Sequence, residues 1–188
     1  MCQERFTRYD IDTPFGALAQ NLVNTYDPTH EPPEYLRSAD DLAQLLEQHG
    51  LRGTSVGAAD LSAARVLRAE VRGVFQARGS AAAMQRINTL LGKAHVELRM
   101  VRRGSAVKLD WNPSARARPI ERLRTAVALN LAHLLERFGL ERFHVCAADP
   151  CEDVFVDVTR SGARRFCAVS CANRARVALF RRRQRAGR

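Results

Sequence analysis

The last 31 residues of this 188-residue chain contain no aspartate or glutamate: Asp157 is the final acid. No apolar run approaches the roughly 20 residues needed to span a bilayer. The opening "MCQERFTRYD" has neither the basic start nor the apolar middle of a signal peptide. The expectation from these absences is a cytoplasmic protein that does not engage a membrane. Nor is there a CxxC pair, a glycine-rich phosphate loop, a Ser/His/Asp set or a carboxylate pair, and His49, His95 and His133 share no spacing with an acid or nucleophile. The chain is therefore read as a non-enzyme. It has no internal repeat, and its only loop-like stretches of note are "DPTHEPPEY" and "NPSARARP".

What is present begins with an ordinary globular composition, 46% hydrophobic and 27% charged. A chain this long buries a core without disulfide staples. Cysteines in a reducing compartment point to metal rather than to a disulfide framework. Cys2, alone near the terminus, is read as an irrelevant thiol. The net charge of +10 is unevenly placed. Residues 1 to 157 hold 20 acids and 20 Lys plus Arg, so the whole excess comes from ten arginines beyond Asp157: Arg160, Arg164, Arg165, Arg174, Arg176, Arg181, Arg182, Arg183, Arg185 and Arg188. That one-ended asymmetry points to a polyanion partner for the C-terminal segment.

Apolar periodicity predicts helices over most of the first 143 residues. "FGALAQNLVNTY" carries Phe15, Leu18, Leu22 and Val23 at helical spacing; "SADDLAQLLEQHG" opens on Ser38 as N-cap with Asp41 three residues on, and closes at Gly50. From about Ala58 to Ala77, Leu61, Ala64, Leu67, Val71, Val74 and Phe75 mark one face, and Met84, Ile87, Leu90 and Leu91 repeat the pattern. The period then falls to two: Val96, Leu98, Met100 and Val107, Leu109, Trp111 are the expected inward sets of a β-hairpin turning at "RRGS". A last helix starts at Pro119 with Ile120, Leu123, Val127, Leu131, Leu134 and Phe138 on its stripe.

Four cysteines fall within 26 residues: Cys146 and Cys151 are separated by four residues, Cys167 and Cys171 by three, with 15 between the pairs. Two short clips joined by a connector that folds back supply the four soft ligands of tetrahedral zinc. His144, one residue from Cys146, would be strained as a ligand. In the connector, "VFVDV" alternates Val154, Val156 and Val158 with Phe155 and Asp157, "TRSG" turns at Gly162 and "ARRF" returns, which predicts a second hairpin. Ser170 is placed to cap a helix beginning near Cys171. Knuckle, hairpin and helix in that order describe a treble-clef-like zinc finger. The fold class expected is thus α+β, mainly α: a helical N-terminal domain with one β-hairpin (1–143), followed by the small finger (144–188).

A fold this small cannot bury its arginines, so Arg160, Arg164 and Arg165 on the connector and Arg174, Arg176, Arg181, Arg182 and Arg183 on the helix form a candidate DNA-binding surface. Most would meet phosphates, and Asn173 and Arg174, at the helix start, are the candidates for a base edge.

These residues carry a resemblance. "CEDVFVDVTRSGARRFCAVSCANRARV" resembles the CGNR-type zinc finger, with its C-x4-C clip and C-G-N-R helix start, and "LAQNLVNTYDP" with "SADDLAQLLEQHGL" is similar to the start of the ABATE domain. The resemblance implies a bacterial, stress-induced transcription regulator whose finger binds DNA and whose helical domain senses a small-molecule ligand. Cys146, Cys151, Cys167 and Cys171 match the zinc ligands, and Asn173 and Arg174 match the N-R; Ala172 replaces the glycine. Gln20 and Asn21 stand where the N-terminal motif has L-D, while Asn24 and Thr25 keep its N-T. That pair either lines a ligand pocket or ends a helix by bonding to its own backbone. The alternative function is an interaction module that docks an acidic protein or RNA polymerase surface. A homodimer would suit symmetric DNA, although the sequence shows no heptad or exposed apolar stripe to mark its interface.

Overall fold

Six consecutive buried residues, Leu18–Val23, form the first helix, α1, at the centre of the helical packing. In the computed structural model, which describes residues 15–51, 53 and 55–186, α1 packs on α3 (Ala58–Phe75) and α5 (Pro119–Phe138). Its entry is a turn with positive φ at Phe15 and Gly16. Asn130 of α5 pins that turn, accepting from the Ala19 N–H at 3.1 Å and donating to the Gly16 carbonyl at 2.9 Å. The N-terminal N–H groups of a helix need such partners when buried.

Helix α2 (Ala39–Gln48) starts as expected, with Ser38 and Asp41 forming a reciprocal capping box, and buries Leu42, Leu45 and Leu46. Helix α3 buries all six expected stripe residues, and α5 starts at Pro119 and buries Ile120, Leu123, Val127, Leu131 and Leu134. Helix α4 (Ser80–Leu91) differs in one position: Ala83, Ile87 and Leu90 face the core, while Met84 is half exposed. No helix among the described residues is long and apolar enough to cross a membrane.

Strands β1 (Val96–Arg103) and β2 (Ala106–Pro113) pair antiparallel, with Leu98 opposite Trp111 and Met100 opposite Leu109. The hairpin is where the sequence predicts it, but its apolar row is not inward. Leu98 and Met100 are each 65% exposed, Val107 60% and Leu109 57%. The hairpin joins the body at its base, where Pro113 is buried and the His95 N–H donates to Thr125 Oγ1 of α5. Alternation assigned the apolar residues to one face; among the described residues, no element covers that face. An exposed apolar stripe is therefore present after all.

After a single 3-10 turn at Leu140–Arg142, strand β3 (Phe143–Val145) pairs antiparallel with β4 (Val154–Val156). This replaces the expected hairpin between "VFVDV" and "ARRF": residues 163–166 form no strand. Asp157 is the reason. Its carboxylate accepts from the Thr159 N–H and Oγ1 and from the Arg164 N–H, folding 157–164 into a side-chain-bonded loop before a strand can return. Residues Val154 to Asp157 are all buried rather than alternating. Phe143, Val154 and Val156 belong to the same hydrophobic core as the helices, whereas Cys146, Ala148, Cys151 and Cys171 form a second, small cluster.

Candidate metal centre and arginine-bearing helix

The first cysteine follows β3 directly, and the chain between β3 and β4 is a tight knuckle. The Cys146 N–H donates to the Asp153 carbonyl at 2.8 Å and the Cys151 N–H to the Ala148 carbonyl at 2.6 Å. The returning segment is tied to it by Ala147 N–H donating to the Arg165 carbonyl at 2.9 Å, which brings Cys167 alongside: its N–H donates to Cys146 Sγ at 3.4 Å. Helix α6 (Val169–Ala186) then places Cys171 in its first turn. It begins at Val169, so Ser170 lies inside the helix rather than capping it.

The four Sγ atoms all lie within 4.8 Å of one another, with Cys151 to Cys167 at 3.7 Å and Cys167 to Cys171 at 3.5 Å. All four cysteines are free. Zn–S bonds of about 2.3 Å set tetrahedrally put sulfurs about 3.8 Å apart, so the cluster fits a metal ion held by four thiolates. His144 is not among the ligands; its ring lies against Phe155, with centroids 5.2 Å apart.

Four thiols this close cannot all ionise without a cation between them. The hydrogen bond from Cys167 pulls the Cys151 thiol down to about 5. The same contact, with burial and the negative charges of Asp153, Cys151 and Cys146, pushes Cys167 far up; burial first of all raises Cys171 to about 11. A divalent ion removes that conflict by neutralising the charge that each thiolate imposes on the others. The N-terminal dipole of α6 favours the Cys171 thiolate in the same way.

The arginines divide into two groups. Arg164 donates through Nε to the Phe166 carbonyl at 2.8 Å and through Nη2 to the Cys167 carbonyl, with its guanidinium 4.9 Å from the Phe155 ring centre. Arg174 Nη2 donates to Cys171 Sγ at 3.3 Å. Both therefore touch the cysteine cluster or its backbone. Arg160 and Arg165 are exposed on the loop, Arg165 lying 5.8 Å from the centre of the Phe166 ring. Arg176, Arg181, Arg182 and Arg183 are exposed on α6. Asn173 is exposed too, and its Oδ1 accepts from Arg176 Nη1 at 3.4 Å. Steps of three and four residues put Val169, Asn173, Arg176 and Phe180 on one face of α6, away from Cys171 and Ala175. Val169, Val177, Leu179 and Phe180 are exposed among these charges. Cys2 and Arg188 lie outside the described residues.

Asn24 and Thr25 sit elsewhere, at the end of α1. Asn24 exchanges hydrogen bonds with the backbone of Val154, and Thr25 Oγ1 donates to the Leu22 carbonyl at 2.6 Å while accepting from Arg68 Nη1 at 3.0 Å. Two contributors escaped sequence reasoning. Asp157 has a local signal, an acid two residues before Thr159 as in a side-chain-bonded turn. Arg142 has none: its Nη1 donates to the Thr159 carbonyl at 2.8 Å across 17 residues. At Asp157, burial opposes ionisation, but the bonds from Thr159 and Arg164 and the charge of Arg142 hold its carboxyl below the ordinary value.

Residues 142–184 match the family model of the CGNR zinc finger, and residues 16–137 match that of the ABATE family, described as "Putative stress-induced transcription regulator". No curated protein matches the chain.

Proposed function

The chain belongs to the ABATE family and ends in a CGNR zinc finger, and from that premise we propose that it is a zinc-dependent, DNA-binding transcription regulator. The observation that carries this reading is the mounting of an acid-free, ten-arginine segment on a four-cysteine centre. Zinc, when bound, supplies structural cross-linking: it joins the knuckle to α6 in a module too small to hold together by its own core. Cys146, Cys151, Cys167 and Cys171 hold it, while Arg164 and Arg174 offset the negative charge that four thiolates bring.

The remaining basic residues meet DNA. Arg160 and Arg165 on the loop and Arg176, Arg181, Arg182 and Arg183 on α6 contact phosphates, and Asn173, on the outer face of the first turns, is the residue best placed to reach a base edge. In anisotropy titrations of the zinc-loaded chain against random and selected duplexes, log K falls linearly with log [salt], by about 0.9 for each phosphate contacted. Absence of binding at low salt with zinc present overturns the reading.

The second reading, a module that docks an acidic protein or RNA polymerase surface, is favoured by Val177, Leu179 and Phe180, exposed among the arginines. Aromatic and aliphatic anchors beside arginine suit a protein interface. Nuclease-resistant binding to purified RNA polymerase, lost in Phe180→Ala, selects this alternative. A ligand-sensing role for the helical domain would be served at Asn24 and Thr25 only by displacing the hydrogen bonds these residues already make.

A further inference from the structure

Strand β4 is three residues long and has two edges. One pairs with β3. The other faces the helical domain, where among the described residues no strand lies, yet side chains bond to its backbone at alternate residues. Arg72 Nη1 of α3 donates to the Glu152 carbonyl at 2.9 Å. Asn24 Nδ2 donates to the Val154 carbonyl at 2.9 Å, and its Oδ1 accepts from the Val154 N–H at 2.8 Å. Gln20 Oε1 accepts from the Val156 N–H at 2.9 Å. Residues 152, 154 and 156 alternate as the outward-bonding residues of an edge strand do. Three side chains from α1 and α3 thus stand where a third strand would, and cover an edge that would otherwise be open.

The placement matters because Cys151 immediately precedes this clamped run and Cys146 follows β3 on the opposite side. The knuckle is a loop whose exit is fixed by the helical domain. We infer that Gln20, Asn24 and Arg72 are positioning residues for the metal centre, so that the helical domain and the cysteine cluster are energetically coupled. This rests on the reading that the four cysteines hold a metal. Ligands tied to a fixed backbone lose less freedom when the ion binds, and groups that orient ligands from behind commonly change metal affinity by about 10- to 100-fold. Coupling is reciprocal: whatever shifts α1 changes metal affinity, and loading the metal steadies α1 to the same extent.

The coupling also gives Asn24, at the end of α1, a role that needs no ligand. Asn24 offers one donor and one acceptor, as a backbone peptide does, which is why an amide rather than a carboxylate suits the edge of β4.

The test uses the full chain, with zinc affinity read by competition against a chromophoric chelator at neutral pH and folding followed by circular dichroism. Asn24→Ala and Arg72→Met are each expected to weaken zinc binding about tenfold or more. Asn24→Asp, which keeps the acceptor for the Val154 N–H and loses the donor, is expected to fall between Asn24→Ala and the parent chain. Leu67→Ala, in the core of α3 and making no hydrogen bond to residues 152–156, is the control: it lowers the melting temperature but leaves zinc affinity within about twofold. If Asn24→Ala fails to fold, Arg72→Met carries the test alone. Parental zinc affinity in folded Asn24→Ala and Arg72→Met overturns the inference, as does an equal loss in Leu67→Ala. A parent chain that takes up no zinc overturns instead the metal reading beneath it.

Discussion

Arg174 Nη2 lies 3.3 Å from Cys171 Sγ, within the first turns of the same helix. An arginine singled out in the sequence as a reader of bases is therefore bonded to one of the four clustered cysteines. Charge-assisted bonds to a thiolate relieve the excess negative charge of a four-cysteine centre. Arg174→Met is expected to weaken zinc retention about tenfold, measured by chelator competition. Asn173→Ala, one residue away on the exposed face, leaves zinc affinity unchanged and alters DNA binding. Equal zinc affinity in Arg174→Met and the parent chain would falsify the supporting role.

If the four cysteines hold zinc as proposed, Cys151→Ser removes one of the two ligands that the knuckle supplies and weakens its link to α6. The division at residue 143 read from the sequence would leave the helical part untouched, but Phe143, Val154 and Val156 lie in the core shared with the helices. Loosening β3 and β4 therefore loosens that core. The melting temperature of the helical signal is expected to fall by about 5 °C, as a loss of about 2 kcal/mol produces in a chain of this size. An unchanged midpoint would show that the finger and helices unfold independently.

Most local signals were readable, Ser170 and the hairpin's apolar row excepted, and distant pairings were not. The cysteine spacing, the Ser38–Asp41 capping box and the stripes of α3 and α5 each lie within one or a few turns of chain, and the structure has them as read. The partner of β4 was misassigned because β3 lies on the far side of the first cysteine clip, while "TRSG" offered a turn that the Asp157 carboxylate uses for a loop. Asn24 carried no pointer to Val154, 130 residues away. A carboxamide near a helix end looks alike whether it meets ligand, its own backbone or a strand edge.

His49 makes part of the helical domain sensitive to pH. Its Nδ1 donates to the Phe15 carbonyl at 2.9 Å, which leaves Nε2 to accept from Asn21 Nδ2 at 3.2 Å. Burial, opposed by the bond to Phe15, holds the ring below its ordinary value of 6.5. As pH falls, the unfolded chain takes up this proton first. The stabilisation is thus complete above about 6.5 and declines as pH drops toward the folded value. Denaturant midpoints measured from pH 7.5 to 5 should fall less in His49→Gln than in the parent chain. Parallel curves would remove His49 as the source.

The two groups of arginines separate in salt titrations. Replacing Arg181, Arg182 and Arg183 by alanine should flatten the slope of log K against log [salt] by about 0.9 for each arginine that meets a phosphate, with zinc affinity intact. Arg164→Ala should do the reverse, because its guanidinium is bonded to the Phe166 and Cys167 carbonyls. Zinc retention and melting temperature drop while the slope at equal zinc loading stays near that of the parent. A slope that responds equally to both changes would place Arg164 at the DNA after all.

The hairpin tests what alternation alone can establish. Leu98 and Met100 follow the two-residue period of a half-buried strand, yet each is 65% exposed: among the described residues, β1 and β2 meet the body near their base. A residue with water on its side has little transfer energy left to lose. Leu98→Lys and Met100→Lys should each change stability by no more than about 0.5 kcal/mol, against roughly 2–5 kcal/mol for Leu131→Ala in the core of α5. Thermal and urea unfolding at low protein concentration decide between them. A penalty at Leu98 close to that at Leu131 would mean the apolar row is covered in the folded chain, and that the alternation had pointed inward correctly.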